Sequence, residues 1–366
     1  MFSSTIFGQN SSTANTSVTN REPTGQEVLV QGAPDDTVSS LNFSPAALKE
    51  GCFLISTSWA GDVRCWQVDL NTGDTFAKAH KQHSAAGTAV LPILDSCWSS
   101  DGLQVFTAGC DNAVRMWNIQ SDQIIQVASH DNAVKTVHFI QRPSYSCIMT
   151  GSWDKSLRFW DLRSPQPILN LTVPERVYSA DVLGPMAVVC TADRGIHVYD
   201  LNQQPKHFKQ IESPLKHQHR CVSIFNQSEP RGFAVGGIEG RISVNDVQKN
   251  DNFTFKCHRS STTVDGYLEV YPVNGISFHP IHNTMLTIGA DGQCCYWDKD
   301  SRSRIKAPEL NKSSPLTTCD IDPSGVLLAY AEGYDWHKGH EGNDLSKKPQ
   351  IYLRQVFEDM KQKQKT

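Results

Sequence analysis

The chain has 366 residues, 39% hydrophobic and 20% charged, enough apolar material for a large core and too much for a globally disordered protein. Its 34 Lys and Arg against 38 Asp and Glu leave a formal net charge of −4, so a nucleic-acid or membrane activity has to come from a local patch. The 11 Cys include no Cys-x-x-Cys pair and read as small buried apolar residues of a reducing compartment. No apolar run approaches the ~18 residues of a membrane span, so a soluble, intracellular chain without membrane insertion is expected.

Residues 1–27 form a polar tail rich in Ser, Thr, Asn and Gln, expected to be disordered because it has too little to bury. It carries one Phe-Gly dipeptide, Phe7-Gly8. Val28-Leu29-Val30 follows as a lone strand. From there one phrase recurs: a short apolar strand, a pair of small residues, an acidic turn, and a second strand that often ends in Trp. Copies lie at 55–66 (ISTSWAGDVRCW), 106–117 (FTAGCDNAVRMW), 149–160 (MTGSWDKSLRFW), 189–199 (VCTADRGIHVY), 234–244 (AVGGIEGRISV) and 287–297 (TIGADGQCCYW), with a degenerate seventh over 328–353. Units begin with alternating apolar residues, as in VSSLNF at 38–43, and are punctuated by turns such as Asp101-Gly102 and His279-Pro280.

A strand-built unit that repeats every ~40–50 residues and ends in Trp predicts an all-β fold, a single seven-bladed β-propeller of the WD40 kind. The ring is expected over 28–356, with Val28-Leu29-Val30 completing the last blade so that no sheet edge stays open at the closure. A basic tail follows at 357–366. The aspartates Asp62, Asp111, Asp154, Asp193 and Asp291 sit between the second and third strands of their blades, where Asp stabilises tight turns. Their recurrence at equivalent positions speaks for turn chemistry rather than catalysis. Trp66, Trp117, Trp160 and Trp297 read first as wedges between blades.

Two stretches break the rhythm: 248–270, between blades 5 and 6, and 332–350, inside blade 7. Three segments mix basic and aromatic or imidazole side chains, at 214–220 (PLKHQHR), 253–259 (FTFKCHR) and 297–306 (WDKDSRSRIK). They suit stacked single-stranded bases or an acidic peptide, and their positions in blades 5 and 6 suggest one shared side of the ring. No phosphate loop, nucleophile elbow or His-Glu-x-x-His motif is present, so no catalytic residue is assigned and an enzyme is not expected. His217 with His219 and His337 with His340 lack the companion ligands of a zinc site, so no metal or cofactor is expected.

Several segments resemble the nuclear-pore mRNA export factor family: Gly151-Ser152-Trp153-Asp154-Lys155-Ser156, Pro174-Glu175-Arg176-Val177-Tyr178-Ser179, NFTFKCHR at 252–259, Tyr271-Pro272-Val273-Asn274 and YDWHKGH at 334–340. The resemblance spans essentially the whole chain. It implies a non-enzymatic adaptor that docks an acidic nucleoporin hairpin, the GLEBS motif, on one propeller face and engages RNA. Its partners would be a Phe-Gly nucleoporin carrying that motif, single-stranded RNA or messenger ribonucleoprotein, and spindle or checkpoint proteins in mitosis. It would reside in the nucleus and at the nuclear pore and shuttle to the cytoplasm. Trp59, Trp153, Arg176 and Arg241 would hold the hairpin, Arg241 against a glutamate. Phe255, Trp297, Arg302 and Arg304, with Lys256, Arg259 and Lys299, would form a basic-aromatic rim. The alternative is the sister kinetochore checkpoint adaptor, which reads similar hairpins of checkpoint kinases. Phe7-Gly8 and NFTFKCHR favour the export reading.

Overall fold

In a computed structural model the described residues are 27–83, 89–227, 229–249, 251–306, 310, 312–344 and 346–362. The polar tail and Phe7-Gly8 lie outside them. Seven four-stranded antiparallel sheets are the blades of a closed ring, as the repeats predict. Blade 1 runs Val38–Phe43, Cys52–Ser58, Asp62–Val68 and Thr75–Gln82 from the axis outward. Blade 2 begins at Ile93–Trp98, blade 3 at Val134–Gln141, blade 4 at Val177–Leu183, blade 5 at His219–Ile224, blade 6 at Val273–Phe278 and blade 7 at Leu316–Ile321. No described helix is long and apolar enough to cross a membrane.

Blade 7 takes its outermost strand from the other end of the chain. Val28–Leu29 pairs antiparallel with Gln350–Gln355, Val28 facing Leu353 and Leu29 facing Tyr352. The ladder continues into Val30, whose N–H donates to the Ile351 carbonyl at 2.9 Å. Glu27 is tied to Lys312 at 2.5 Å, and that ammonium lies 3.6 Å over the Tyr352 ring. The core is divided. Among the described residues each pair of neighbouring blades encloses its own apolar cluster, such as Val30, Leu353, Val38, Leu54 and Trp66 between blades 7 and 1. The wedge reading of Trp66, Trp117 and Trp160 holds, since all three are buried and their indole N–H groups donate to Gln31, Asp122 and Thr150 respectively.

The innermost strands are stitched across the gaps. Asp95 of blade 2 accepts the Val137 N–H of blade 3 at 3.0 Å, Asp181 of blade 4 the Ile224 N–H of blade 5 at 2.6 Å, and Asp320 of blade 7 the Phe43 N–H of blade 1 at 2.7 Å. Asn42 and Asn274 donate in the same sense, to the Ser96 and Leu316 carbonyls. These strands line an axial channel of about 200 Å³. Four of the five acidic turns behave as the sequence suggests, whereas Asp62 is the first residue of the third strand of blade 1, after Gly61 at φ 72°, and its carboxylate bonds Ser58 and Arg64. Asn112, Lys155, Arg194 and Gly292 follow their aspartates at φ of 64°, 65°, 69° and 70°, and the carboxylates accept the N–H two residues on.

Two expectations are corrected. Phe253–Lys256, placed in an inserted loop on sequence, is the outermost strand of blade 5 and pairs with Arg241–Asp246. Its alternating Phe-Thr-Phe-Lys is a half-buried strand pattern. The true insertion is shorter and holds a hairpin, Arg259–Val264 with Tyr267–Val270. The segment after 356 is also no free tail up to residue 360. Met360 is fully buried between blades 6 and 7, Thr284 donates to its carbonyl, Asp359 pairs with Lys306 at 3.0 Å, and Phe357 packs on His282. Lys361 is paired with Glu358 at 2.6 Å.

Asp320 makes the ring closure sensitive to pH. Burial pushes its carboxyl up to about 7, against the opposing pull of two backbone N–H groups. A folded-state value above the unfolded one means that the folded chain holds the proton longer. Stability from this group is therefore full below about pH 4, where both states are protonated, and is lost as pH rises to about 7. In chemical denaturation across that window, Asp320→Asn should flatten the decline relative to the parent chain.

Candidate functional site

In an antiparallel blade, the turn between the second and third strands and the connection to the next blade fall at one end of the ring, here called the upper end. Trp59 and Trp153 occupy such turns in blades 1 and 3. Arg176 lies in the connection between blades 3 and 4, and Arg241 follows the turn of blade 5. All four hairpin-binding candidates thus share the upper end. Arg241 is about a third exposed, 3.8 Å from Glu239. It is held by Gly240 at φ 57°, where an added Cβ would meet the Cys257 carbonyl at 2.8 Å. Arg176 is half exposed, against Glu175 and 5.6 Å from the Tyr178 ring. Trp153 is half-buried, and its indole nitrogen has no acceptor among the described residues.

The second long stretch, 332–350, straps this end. Asp335 is buried; it takes a bond from the Asn274 side chain of blade 6 at 3.3 Å and lies 4.0 Å from Arg220 of blade 5. The neighbouring Trp336 stacks on Trp59 at 5.5 Å and donates to Thr37. Its φ of 62° is unusual for a bulky side chain and is imposed by anchors on both sides. Trp59 therefore stands 38% exposed as half of an aromatic pair rather than as a free ring. Sequence reasoning flagged the segments that hold Asp335 and Arg220 but not their meeting, nor the Trp59–Trp336 pair, since the partners lie in different blades.

The basic-aromatic rim divides. Phe255 meets Trp297 with ring centroids 4.7 Å apart, and the Arg302 guanidinium lies 4.5 Å over Phe253 while bonding Asp251 at 2.5 Å. Arg304 faces Trp297 in the ladder and is exposed. This is one slot at the lower outer side of the blade 5–6 junction. Lys256 and Arg259 belong elsewhere. Lys256 pairs with Arg241 in the ladder and Arg259 donates to the Glu239 carbonyl, which puts both at the upper end. The segment 214–220 ends at the start of the innermost strand of blade 5, also at the upper end, so the three basic segments do not share one side. Lys299 is corrected outright: its side chain is buried over Phe225 and paired with Asp300, because the chain turns inward after Trp297.

Behind the slot lies a relay that the sequence reading missed. Thr287 accepts the Trp297 indole N–H at 3.0 Å and bonds His258 Nε2 at 3.0 Å, while His258 Nδ1 meets Asp291 at 2.8 Å. With Asp291 accepting from Nδ1, Nε2 accepts the threonine hydroxyl, so every group is paired. Trp297 is thereby fixed from its buried edge, with its ring half-exposed. Blade 3 repeats the device with His130, Thr150, Asp154 and Trp160. Burial alone would raise the Asp154 carboxyl, but bonds from His130 and Ser156 hold it well below the usual range. Blade 2 has a related set around His83 and Thr107, with the imidazole lowered to about 4 by burial and by Arg115. The signal was in the chain: Thr107, Thr150 and Thr287 each stand at the same spacing before an Asp and then a Trp. No group of His, Cys, Asp and Glu among the described residues could hold a metal. Burial pushes thiols such as Cys52 and Cys190 up to about 12, as suits inert core residues.

Residues 81–118, 122–161 and 252–298 match the family model described as WD domain, G-beta repeat. Over 365 residues the chain is 50% identical to the mRNA export factor of Xenopus tropicalis, covering 98% of this chain and 96% of that one. It is also 50% identical over 337 residues to Protein Rae1 of Drosophila melanogaster, covering 91% and 94%. The chain belongs to the Rae1/mRNA export factor family. The WD40 repeats of RRP9 share the fold, with a TM-score of 0.73 at 14% identity over 90% of this chain and 97% of that one. The WD40 propeller of Doa1 does so at a TM-score of 0.64 and 16% identity, over 90% and 95%. In this member of the Rae1 family, Thr287→Val should leave the Trp297 N–H and His258 Nε2 unpaired inside the blade. A loss of about 1–3 kcal/mol is expected in urea unfolding, without loss of the fold.

Proposed function

We propose that the chain is a non-enzymatic adaptor in nuclear mRNA export, working at the nuclear pore. The observation that carries this reading is its identity, over nearly its whole length, with relatives named mRNA export factor. The upper end is read as the dock for an acidic nucleoporin hairpin of the GLEBS kind. In favour of this are the aromatic pair Trp59–Trp336, the half-exposed Arg176, and Arg241 beside Lys256 and Arg259. A glutamate from the hairpin would displace Glu239 as the partner of Arg241 and form a charge-assisted bond shielded from water.

The lower slot is read as the contact for single-stranded RNA. An aromatic floor of Phe255 and Trp297, with guanidiniums at its edge, fits a stacked base with its phosphate nearby; an acidic peptide with an apolar anchor would use the same groups. On this reading the two surfaces use different side chains, so one ring would hold pore and cargo together without competition.

Calorimetry with a synthetic GLEBS hairpin tests the first reading. Arg241→Glu should weaken binding by at least about 2 kcal/mol while the Tm stays near that of the parent chain, and an unchanged affinity would reject the assignment. For the second, Arg302→Glu combined with Arg304→Glu should abolish anisotropy-detected binding of a labelled oligouridylate and leave hairpin binding intact. Normal RNA binding by the folded double variant would remove the slot from the mechanism.

A further inference from the structure

The outermost strand of blade 4, Lys206–Ile211, pairs on one side only, with Ile196–Asp200, and its other edge faces solvent. Four other outer strands are shortened, begin with proline or have their lysines paired. Blade 7 has a two-residue closing strand, Val28–Leu29, and blade 3 starts its outer strand with Pro167. Lys81 of blade 1 is paired with Asp122 of blade 2, and Lys306 of blade 6 with Asp359 of the C-terminal segment. In blade 4 neither Lys206 nor Lys209 has an ion pair among the described residues. The ladder shifts between Val198 and Tyr199, so Phe208 stands opposite no residue and projects with 60% of its surface exposed. A bulge of this kind re-aims a side chain. The upper end of the strand opens into a groove of about 420 Å³ bordered by Gln210, Ile211 and Glu212 on one side and Asp193 and Arg194 on the other.

We propose that this edge is a further docking surface, taking an extended segment of a partner protein as an added strand. The partner is acidic where it passes Lys206 and Lys209, apolar against Phe208, and carries a basic side chain where it reaches the groove. Backbone groups on the free edge supply the pairing, and the side chains select the sequence. The strand itself has two lysines and His207 but no acid, which fixes the sign of the segment's charge. At the groove Asp193 and Glu212 outnumber Arg194, whose guanidinium donates to the Leu215 carbonyl, so the sign reverses there. A nucleic acid is the weaker fit, because it cannot use the strand's alternating N–H and C=O groups and its phosphates would meet those two carboxylates.

The test uses the full chain and the labelled peptide Asp-Glu-Ile-Glu-Val-Thr-Val-Arg, followed by fluorescence anisotropy, with amide hydrogen exchange to locate the contact. Saturable binding with new protection over 206–211 is expected. Lys206→Glu with Lys209→Glu should raise Kd at least about tenfold, as should Phe208→Ser, with the Tm and GLEBS-hairpin affinity unchanged. A peptide with lysine in place of its acidic residues should not bind. Absence of binding at millimolar peptide, protection elsewhere on the ring, or an unchanged Kd in the double-lysine variant would each overturn the proposal. So would tighter binding of oligouridylate than of the peptide at this edge.

Discussion

Closure of the ring is the constraint on which everything else depends. A blade cannot bury both faces by itself, and each apolar cluster of this molecule is shared by two neighbours. The last interface exists only because Val28–Leu29 crosses to pair with Gln350–Gln355, with Val30 continuing into the core between blades 7 and 1. Hydrophobic burial supplies the drive at that seam. Direction comes from the Phe43 N–H on Asp320, from Glu27 on Lys312, and from the Trp66 indole on the Gln31 carbonyl. The same seam is strapped from above by residues 334–337, which tie blade 7 to blade 1 through Trp336 and to blades 5 and 6 through Asp335.

This arrangement explains why polar groups crowd the inner strands. Carboxylates and amides there replace the backbone partners that an innermost strand lacks on its axial side, and they set the spacing of adjacent blades. The His-Thr-Asp-Trp relays work on the outer half of the blade. They hold a tryptophan from its buried edge and leave its ring free to face either the next blade, as Trp160 does, or the solvent slot, as Trp297 does in part. One structural device thus serves stability in blade 3 and presents a candidate binding surface in blade 6.

Two ends with different chemistry follow from one ring. The upper end combines aromatic rings, arginines and a strap; the lower side of blades 5 and 6 carries an apolar slot edged by guanidiniums. Both charges and rings come from connections and strand ends, where variation costs the sheets little.

The sequence alone determined the number of blades, the closing strand and the role of four of the five acidic turns. Those depend on periodicity, turn residues and apolar alternation, which act over a few neighbours in the chain. It also carried the Thr-Asp-Trp spacing of the relays. What only the tertiary structure decided was which side chains share a surface. Lys256 and Arg259 follow Phe255 closely yet belong with Arg241, because alternate residues of a strand face opposite ways and its two ends reach opposite ends of the ring. Lys299 lies between Trp297 and Arg302 yet is buried, since Phe225 of the neighbouring blade takes its ammonium. Trp336 meets Trp59 across the closure, from nearly opposite ends of the chain. Such contacts are sums over several blades, and no local pattern in the sequence encodes them.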